Sequence, residues 1–253
     1  MKKSLNIYVY DGSFSGLLVL IKYLFQNSIF PLDIKSTDYN FSLLDNPINL
    51  NLTNNDDIIM EFIKKTNVYF FNTCFNIYLS NDNNKEIILF KFFLCFIKYG
   101  NNTFYMRKFD SINKALKIDQ YVRRENHKFK GFVRFKELNN GILYAEISPE
   151  NNIIFILAKH FKQRLKKEKW IIKDVKRNIV CYYDSHLNFY DGNTLNISLD
   201  LNINENEYVD MWKSFYDTIG IKERNNERCR MNFMPKKYWK YIVEMSDKIW
   251  KKL

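Results

Sequence analysis

Lys128-Phe129-Lys130-Gly131-Phe132-Val133-Arg134-Phe135-Lys136-Glu137-Leu138, then Asn139-Asn140-Gly141, then Ile142-Leu143-Tyr144-Ala145-Glu146-Ile147-Ser148, is the stretch on which the fold class turns. Basic and apolar residues alternate through its first half, which is the period of a half-buried strand. Asn-Asn-Gly supplies a three-residue turn closed by glycine, so the spacing predicts a β-hairpin. With Leu138 and Ile142 flanking that turn, Lys136 faces Tyr144 and Arg134 faces Glu146. Lys128, Lys130, Phe132, Arg134 and Lys136 then share one face, and Phe129, Gly131, Val133 and Phe135 the other. Cations that neutralise phosphates beside rings that stack on bases suit a nucleic-acid surface. An ordinary half-solvated sheet accounts for the same pattern.

Downstream, Pro149 and Glu150 open a helix over Ile153 to Leu165, and Trp170 to Val175 with Ile179 to Tyr183 form a second hairpin around Lys176-Arg177-Asn178. Upstream, Asp110 or Ser111 caps a helix running to about Asn126, whose last turn places Arg123, Arg124 and His127 at the favourable end of the dipole. Leu5 to Tyr10 reads as a strand. Asp11-Gly12-Ser13 turns the chain into a helix marked by Phe14, Leu17, Leu18, Ile21 and Leu24, with Asp11 read first as a cap. Residues 38 to 57, rich in Asn and Asp around Pro47, read as a long loop. Helices are expected at Ile58 to Lys65 and Glu86 to Lys98, and Val68 to Leu79 fits helix or buried strand equally.

Glu205, Glu207 and Asp210 open a further helix whose Val209, Trp212, Phe215, Tyr216 and Ile219 read as core, ending at Gly220. Pro235 begins a final basic helical segment. The expected architecture is α+β: a largely antiparallel sheet with helices packed against it and an N-terminal strand-turn-helix. The 253 residues are read as one elaborate domain, 1–253, with a weak internal boundary near 99–106.

Composition narrows the function classes. The longest apolar stretch, Ile87 to Ile97, is too short to span a bilayer and carries Lys91. The basic N-terminus is interrupted by Asp11-Gly12-Ser13 before a signal-peptide core forms, so a cytoplasmic location is expected. Cys74, Cys95, Cys181 and Cys229 lie too far apart for a zinc or iron–sulfur motif, and no cofactor or metal is called for.

The net charge of +11 is unevenly spread: residues 101–180 hold 19 basic against 8 acidic side chains, 181–219 hold 1 against 7, and 220–253 hold 10 against 4. Every arginine, Arg224 included, falls after residue 100, and guanidinium groups suit phosphates. The candidate nucleic-acid contacts are therefore Arg123, Arg124, Lys128, Lys130, Phe132, Arg134, Lys136, Lys176, Arg177, Arg230, Lys236 and Lys237. Candidate acid–base groups are Asp11, His127, Glu146, His160 and Asp174. None has a diagnostic spacing, and each fits a structural role as cap, helix end, cross-strand partner, helix surface or turn.

Four blocks together resemble a bacterial family of probable DNA-metabolism proteins: Tyr10 to Gly16, His127 to Phe135 continuing through Leu143 to Ile147, Trp170 to Arg177, and Phe233 to Lys240. Cys229-Arg230-Met231-Asn232 departs from the family pattern, and residues 38 to 107 resemble it only faintly. Members of that family are associated with a putative radical-SAM DNA-modification or repair protein, and a similar domain is elsewhere joined to a uracil-DNA-glycosylase-like domain. The resemblance implies a repair or modification context with DNA and a radical-SAM protein as partners, and it carries no catalytic residues over. Three readings stay open: a DNA-binding or substrate-presenting component, a nuclease or glycosylase-like enzyme on damaged or modified DNA, and a protein-interaction module docking an acidic partner.

Overall fold

The computed structural model describes residues 1–42, 45–50, 52, 57–194, 200–221 and 226–246. Arg224 lies outside them. The fold is α+β, and the chain divides into two compact units, 1–123 and 124–253.

The first unit is built on strand β2 (Ile7–Tyr10), which follows the short β1 (Lys2–Lys3) and leads into helix α1 (Phe14–Gln26). The chain returns through β3 (Ile29–Phe30) and β4 (Asp33–Ser36), and β5 (Pro47–Asn49) completes a three-stranded sheet of order β4-β2-β5. Both pairings are parallel. The central strand has all four residues buried, as a parallel strand covered on both faces should. The expected loop over 38–57 thus contains a strand, too short and too polar to be seen by periodicity.

Helices α2 (Ile58–Lys65), α3 (Val68–Leu79) and α4 (Lys85–Tyr99) follow, then a 3-10 helix over Gly100–Tyr105. The ambiguous Val68 segment is therefore helical, with Asn67 as its cap accepting the Phe70 N–H at 2.7 Å. Phe70 is fully buried, stacks on Phe96 at 3.8 Å between ring centroids and lies 5.2 Å from Phe92. These rings, with Leu17, Leu24, Ile34 and Leu89, form one continuous core.

At the first turn, Ser13 is the cap of α1, its Oγ accepting the Gly16 N–H at 2.9 Å. Asp11 acts one step back, its Oδ1 accepting the Ser13 N–H at 3.0 Å and the Ser13 hydroxyl at 2.8 Å. Gly16 makes room for it, since a Cβ there would sit 2.0 Å from Asp11 Oδ1.

Helix α5 runs from Asp110 to Phe132. This overturns the first half of the strand expected over Lys128 to Leu138, of which Lys136–Glu137 remains a strand. The inward positions Ile112, Ala115, Asp119, Val122, Glu125, Phe129 and Val133 are all buried and recur at helical spacing. That period extends through the alternating Lys-Phe-Lys segment and prevails. Arg123, Arg124 and His127 consequently lie inside the helix and not at its end.

In the second unit β6 (Lys136–Glu137) pairs antiparallel with β7 (Leu143–Ile147), and Lys136 stands opposite Tyr144 as the turn predicts. The turn closes with the Leu138 N–H on the Ile142 carbonyl at 2.9 Å, and Gly141 adopts φ +75°. Helix α6 (Ile154–Arg164) then carries the chain over to β8 (Trp170–Asp174), which lies parallel to β7. A helical crossover returns a strand in the same direction. Strands β9 (Ile179–Asp184) and β10 (His186–Asp191) continue antiparallel, giving the order β10-β9-β8-β7-β6. Three of these four pairings are antiparallel, so the expectation of a largely antiparallel sheet holds in this unit, while the three-stranded sheet of the first unit is parallel.

Helices α7 (Glu205–Ile219) and α8 (Glu227–Phe233), a 3-10 helix over Lys236–Tyr241 and the short α9 (Val243–Ser246) finish the unit. The aromatic face of α7, expected in the core, leaves Trp212 41% and Phe215 53% exposed. Among the described residues of this helix only Glu205 is buried, and its Oε2 accepts the Glu137 N–H at 2.9 Å. Buried Glu125 ties the unit together more deeply. It accepts the backbone N–H groups of Glu150 and Asn151, the Asn151 amide and the Tyr238 hydroxyl, all at 2.6–2.9 Å.

Candidate functional site

Strand alternation sends Tyr144 and Glu146 to one side of the sheet, and the hairpin register brings Lys136 beside Tyr144. Val209 and Lys213, four apart on α7, reach the same place, as do Lys240 and Tyr241 from the 3-10 helix and Val243 from α9. With Arg134 and Ala145 they line a cavity of about 350 Å³. Among the described residues its ionisable lining comprises Arg134, Lys136, Lys213 and Lys240 against one carboxylate, Glu146, beside two tyrosines.

Arg134 is committed to the protein. Its guanidinium grips Glu244 through both Nη2 and Nε, the latter at 3.1 Å, and donates to the carbonyls of Gly131 at 2.6 Å and Val133 at 3.2 Å. The guanidinium lies 5.7 Å from the centre of the Trp212 ring, whose indole N–H also donates to Glu244 at 3.1 Å. Burial alone would raise the Glu244 carboxyl, yet the Arg134 hydrogen bonds and charge, with the backbone and Trp212 hydrogen bonds, together outweigh it and hold the group below its usual range. Arg134 therefore braces the cavity wall, and the cross-strand partnership expected with Glu146 is replaced by the one with Glu244.

Glu146 accepts instead from the Tyr144 hydroxyl at 2.9 Å. Burial, reinforced by that hydrogen bond and the Glu146 charge, pushes the Tyr144 phenol above its ordinary value. Tyr144 thus stays a neutral donor at physiological pH. Lys136, Lys213 and Lys240 add three ammonium charges to the same lining.

The other expected contacts scatter. Arg123 is paired with Asp119 at 2.7 Å, and Arg124 and His127 are exposed along α5, with Lys128 and Lys130 half-buried on the same helix. Phe132 packs on Phe129 and Tyr238, centroids 5.9 Å from each, so its ring serves the core. Arg177 donates to Asp174 at 2.9 Å and to the carbonyls of Pro149 and Glu150, while Lys176 is exposed. Asp174 is fully buried, its carboxyl raised by burial against the pull of Arg177, and it pins the β8–β9 turn.

Arg230 lies near Glu227 at 3.5 Å and 5.9 Å from the centre of the Trp239 ring, Lys236 lies over the same ring, and Lys237 pairs with Glu150. His160 has its Nε2 buried without a hydrogen-bond partner, and burial, with Lys130 and Arg164 nearby, lowers its pKa. Asp11 belongs to the first unit, as a turn residue. Of the expected candidates the cavity thus gathers Arg134, Lys136 and Glu146. Sequence reasoning missed Lys213, Lys240 and Tyr241. Lys213 had one signal, as the single basic residue in the acidic stretch 181–219.

Fold and cavity together define an α+β protein with a cationic, tyrosine-lined recess in its C-terminal unit. The chain belongs to the family described as a domain of unknown function, DUF4130, whose model matches residues 83–244. No curated protein and no solved structure matches it. The blocks at 127–147, 170–177 and 233–240 lie within the family match, and Tyr10 to Gly16 lies outside it. Among the described residues, no helix is long and apolar enough to cross a membrane.

Proposed function

We propose that this protein is a DNA-binding or substrate-presenting component of a bacterial DNA repair or modification system. The observation that carries the reading is the convergence of Lys136, Lys213 and Lys240 from three separate elements on one recess that also holds Tyr144 and Tyr241. Cations beside rings are the requirements of a groove that tracks a nucleic-acid backbone. Residues 124–253 also carry the greater charge excess, 25 basic against 17 acidic side chains, compared with 14 against 11 in residues 1–123. The family resemblance adds a repair or modification setting and a radical-SAM partner, which would supply the cluster chemistry.

The test is binding to single-stranded and duplex DNA across a salt series, with Lys136, Lys213 and Lys240 changed to alanine together. The triple variant is expected to bind at least tenfold more weakly at moderate salt. Its slope of log affinity on log salt should flatten by about 2, since each lost phosphate contact removes roughly 0.7 to 0.9. Unchanged affinity and slope would remove this reading. The nuclease or glycosylase-like alternative has one observation in its favour, the Tyr144–Glu146 pair facing the same recess. It requires turnover by the isolated chain that Glu146→Gln abolishes.

A further inference from the structure

We infer that the recess receives a single unstacked nucleotide and that Glu146 selects guanine. The inference rests on the DNA-binding reading above and names the ligand of that same site.

A site built only for phosphate gains nothing from a carboxylate in its wall, because two anions repel. Glu146 nevertheless lines the recess among Lys136, Lys213 and Lys240. A carboxylate is acceptor-only and has about four lone-pair sites over its two oxygens. The Tyr144 hydroxyl occupies one site, on Oε1. The remaining capacity calls for a ligand that donates while its phosphate engages the lysines.

Size limits that ligand. At about 350 Å³ the recess stands at the lower end of small-molecule sites, enough for one nucleoside unit with its phosphate and too small to enclose a base pair. The base must therefore enter out of its stack, with its Watson–Crick edge open to side chains. On that edge guanine presents two adjacent donors, N1–H and the 2-amino group, which match both oxygens of a carboxylate. Cytosine offers its 4-amino group beside an acceptor, adenine likewise its 6-amino group, and uracil or thymine one N–H between two carbonyls. Each of these sets an acceptor lone pair against the carboxylate, so guanine alone engages it bidentately. The tyrosine rings of the wall tolerate any base and leave the choice to Glu146.

The experiment is calorimetric titration of the full chain with GMP, CMP, AMP and UMP, repeated with Glu146→Gln, alongside single-stranded DNA binding in the same buffer. GMP is expected to bind about tenfold more tightly than CMP, AMP and UMP, within the discrimination a bidentate base contact carries. Glu146→Gln, close to isosteric, should erase that preference while leaving the thermal midpoint near the parent's. Equal affinities for the four monophosphates in the parent protein overturn the inference even if the variant does not fold. A preference that survives in Glu146→Gln overturns it too. Salt-dependent DNA binding without base preference sinks the guanine assignment alone, whereas no binding to DNA or to any monophosphate sinks the DNA reading with it.

Discussion

Arg134 shows how far a residue's chemistry depends on its partner. Read along the chain it sits on a basic stripe; in the fold it is three-quarters covered, and Glu244, 110 residues away, is 2% exposed. Removing one member of a covered pair strands the other, so Arg134→Ala is expected to cost about 3 kcal/mol or more in urea unfolding at neutral pH. Lys237→Ala, which breaks a half-exposed pair with Glu150, should cost about 1 kcal/mol or less by the same measurement. Their pH dependence separates them further. Glu244 has its folded-state pKa depressed from 4.5, so its contribution is complete above that value and is lost as pH falls through the lower, folded one. The parent protein should shed this stability on acidification, and Arg134→Ala, having lost the stabilising hydrogen bonds, should show a shallower acid slope in the same window. No pattern in the sequence joins positions 134 and 244, so the chain alone points the arginine at phosphate and only the fold shows its bracing role.

Helix α5 holds the opposite lesson, since the information was present but two periods competed for it. Lys128 to Lys136 alternates like a strand, while Val122, Glu125, Phe129 and Val133 recur like a helix, and the burial of all four shows which period the core uses. Gly131 tests the outcome: it lies in the last turn of α5, its φ is not positive, and a Cβ added there meets nothing within 4 Å. Gly131→Ala should therefore raise stability by about 0.5–1 kcal/mol, seen as an increase in thermal midpoint. Unchanged or lower stability would argue against a helix at this position. Elsewhere long periodic helices such as α1, α4, α6 and α7 were legible, as was the Asn139-Asn140-Gly141 turn with its register. The parallel pairings were not, because β4 and β5 are too short to show a period and partner choice is set by the crossover and not by the strand's own residues. The recess was legible only through Arg134, Lys136 and Glu146. Its remaining cations arrive from α7 and the C-terminal 3-10 helix, brought in by tertiary packing that local pattern does not encode.

The family match and the folding units have different limits, and the difference has a physical consequence. The match begins at residue 83, inside the first unit, whereas the continuous core of that unit joins Leu17, Leu24, Ile34, Phe70 and Cys74 to Leu89, Phe90, Phe92 and Phe96 on α4. A fragment comprising residues 83–244 would keep α4 while losing α1, α3 and the parallel sheet against which those side chains are buried. Leu89, Phe90 and Phe92 are fully buried in the whole chain, and exposing each costs about 2 kcal/mol of transfer free energy. Contiguous apolar surface of that kind drives association. The fragment is therefore expected to bind a hydrophobic dye strongly and to aggregate at concentrations where the full chain stays monodisperse by light scattering. A fragment that remained monodisperse with a cooperative melt would mean that α4 finds equivalent cover within 83–244. The first 82 residues would then be an attachment to an independently stable domain and not the other half of its core.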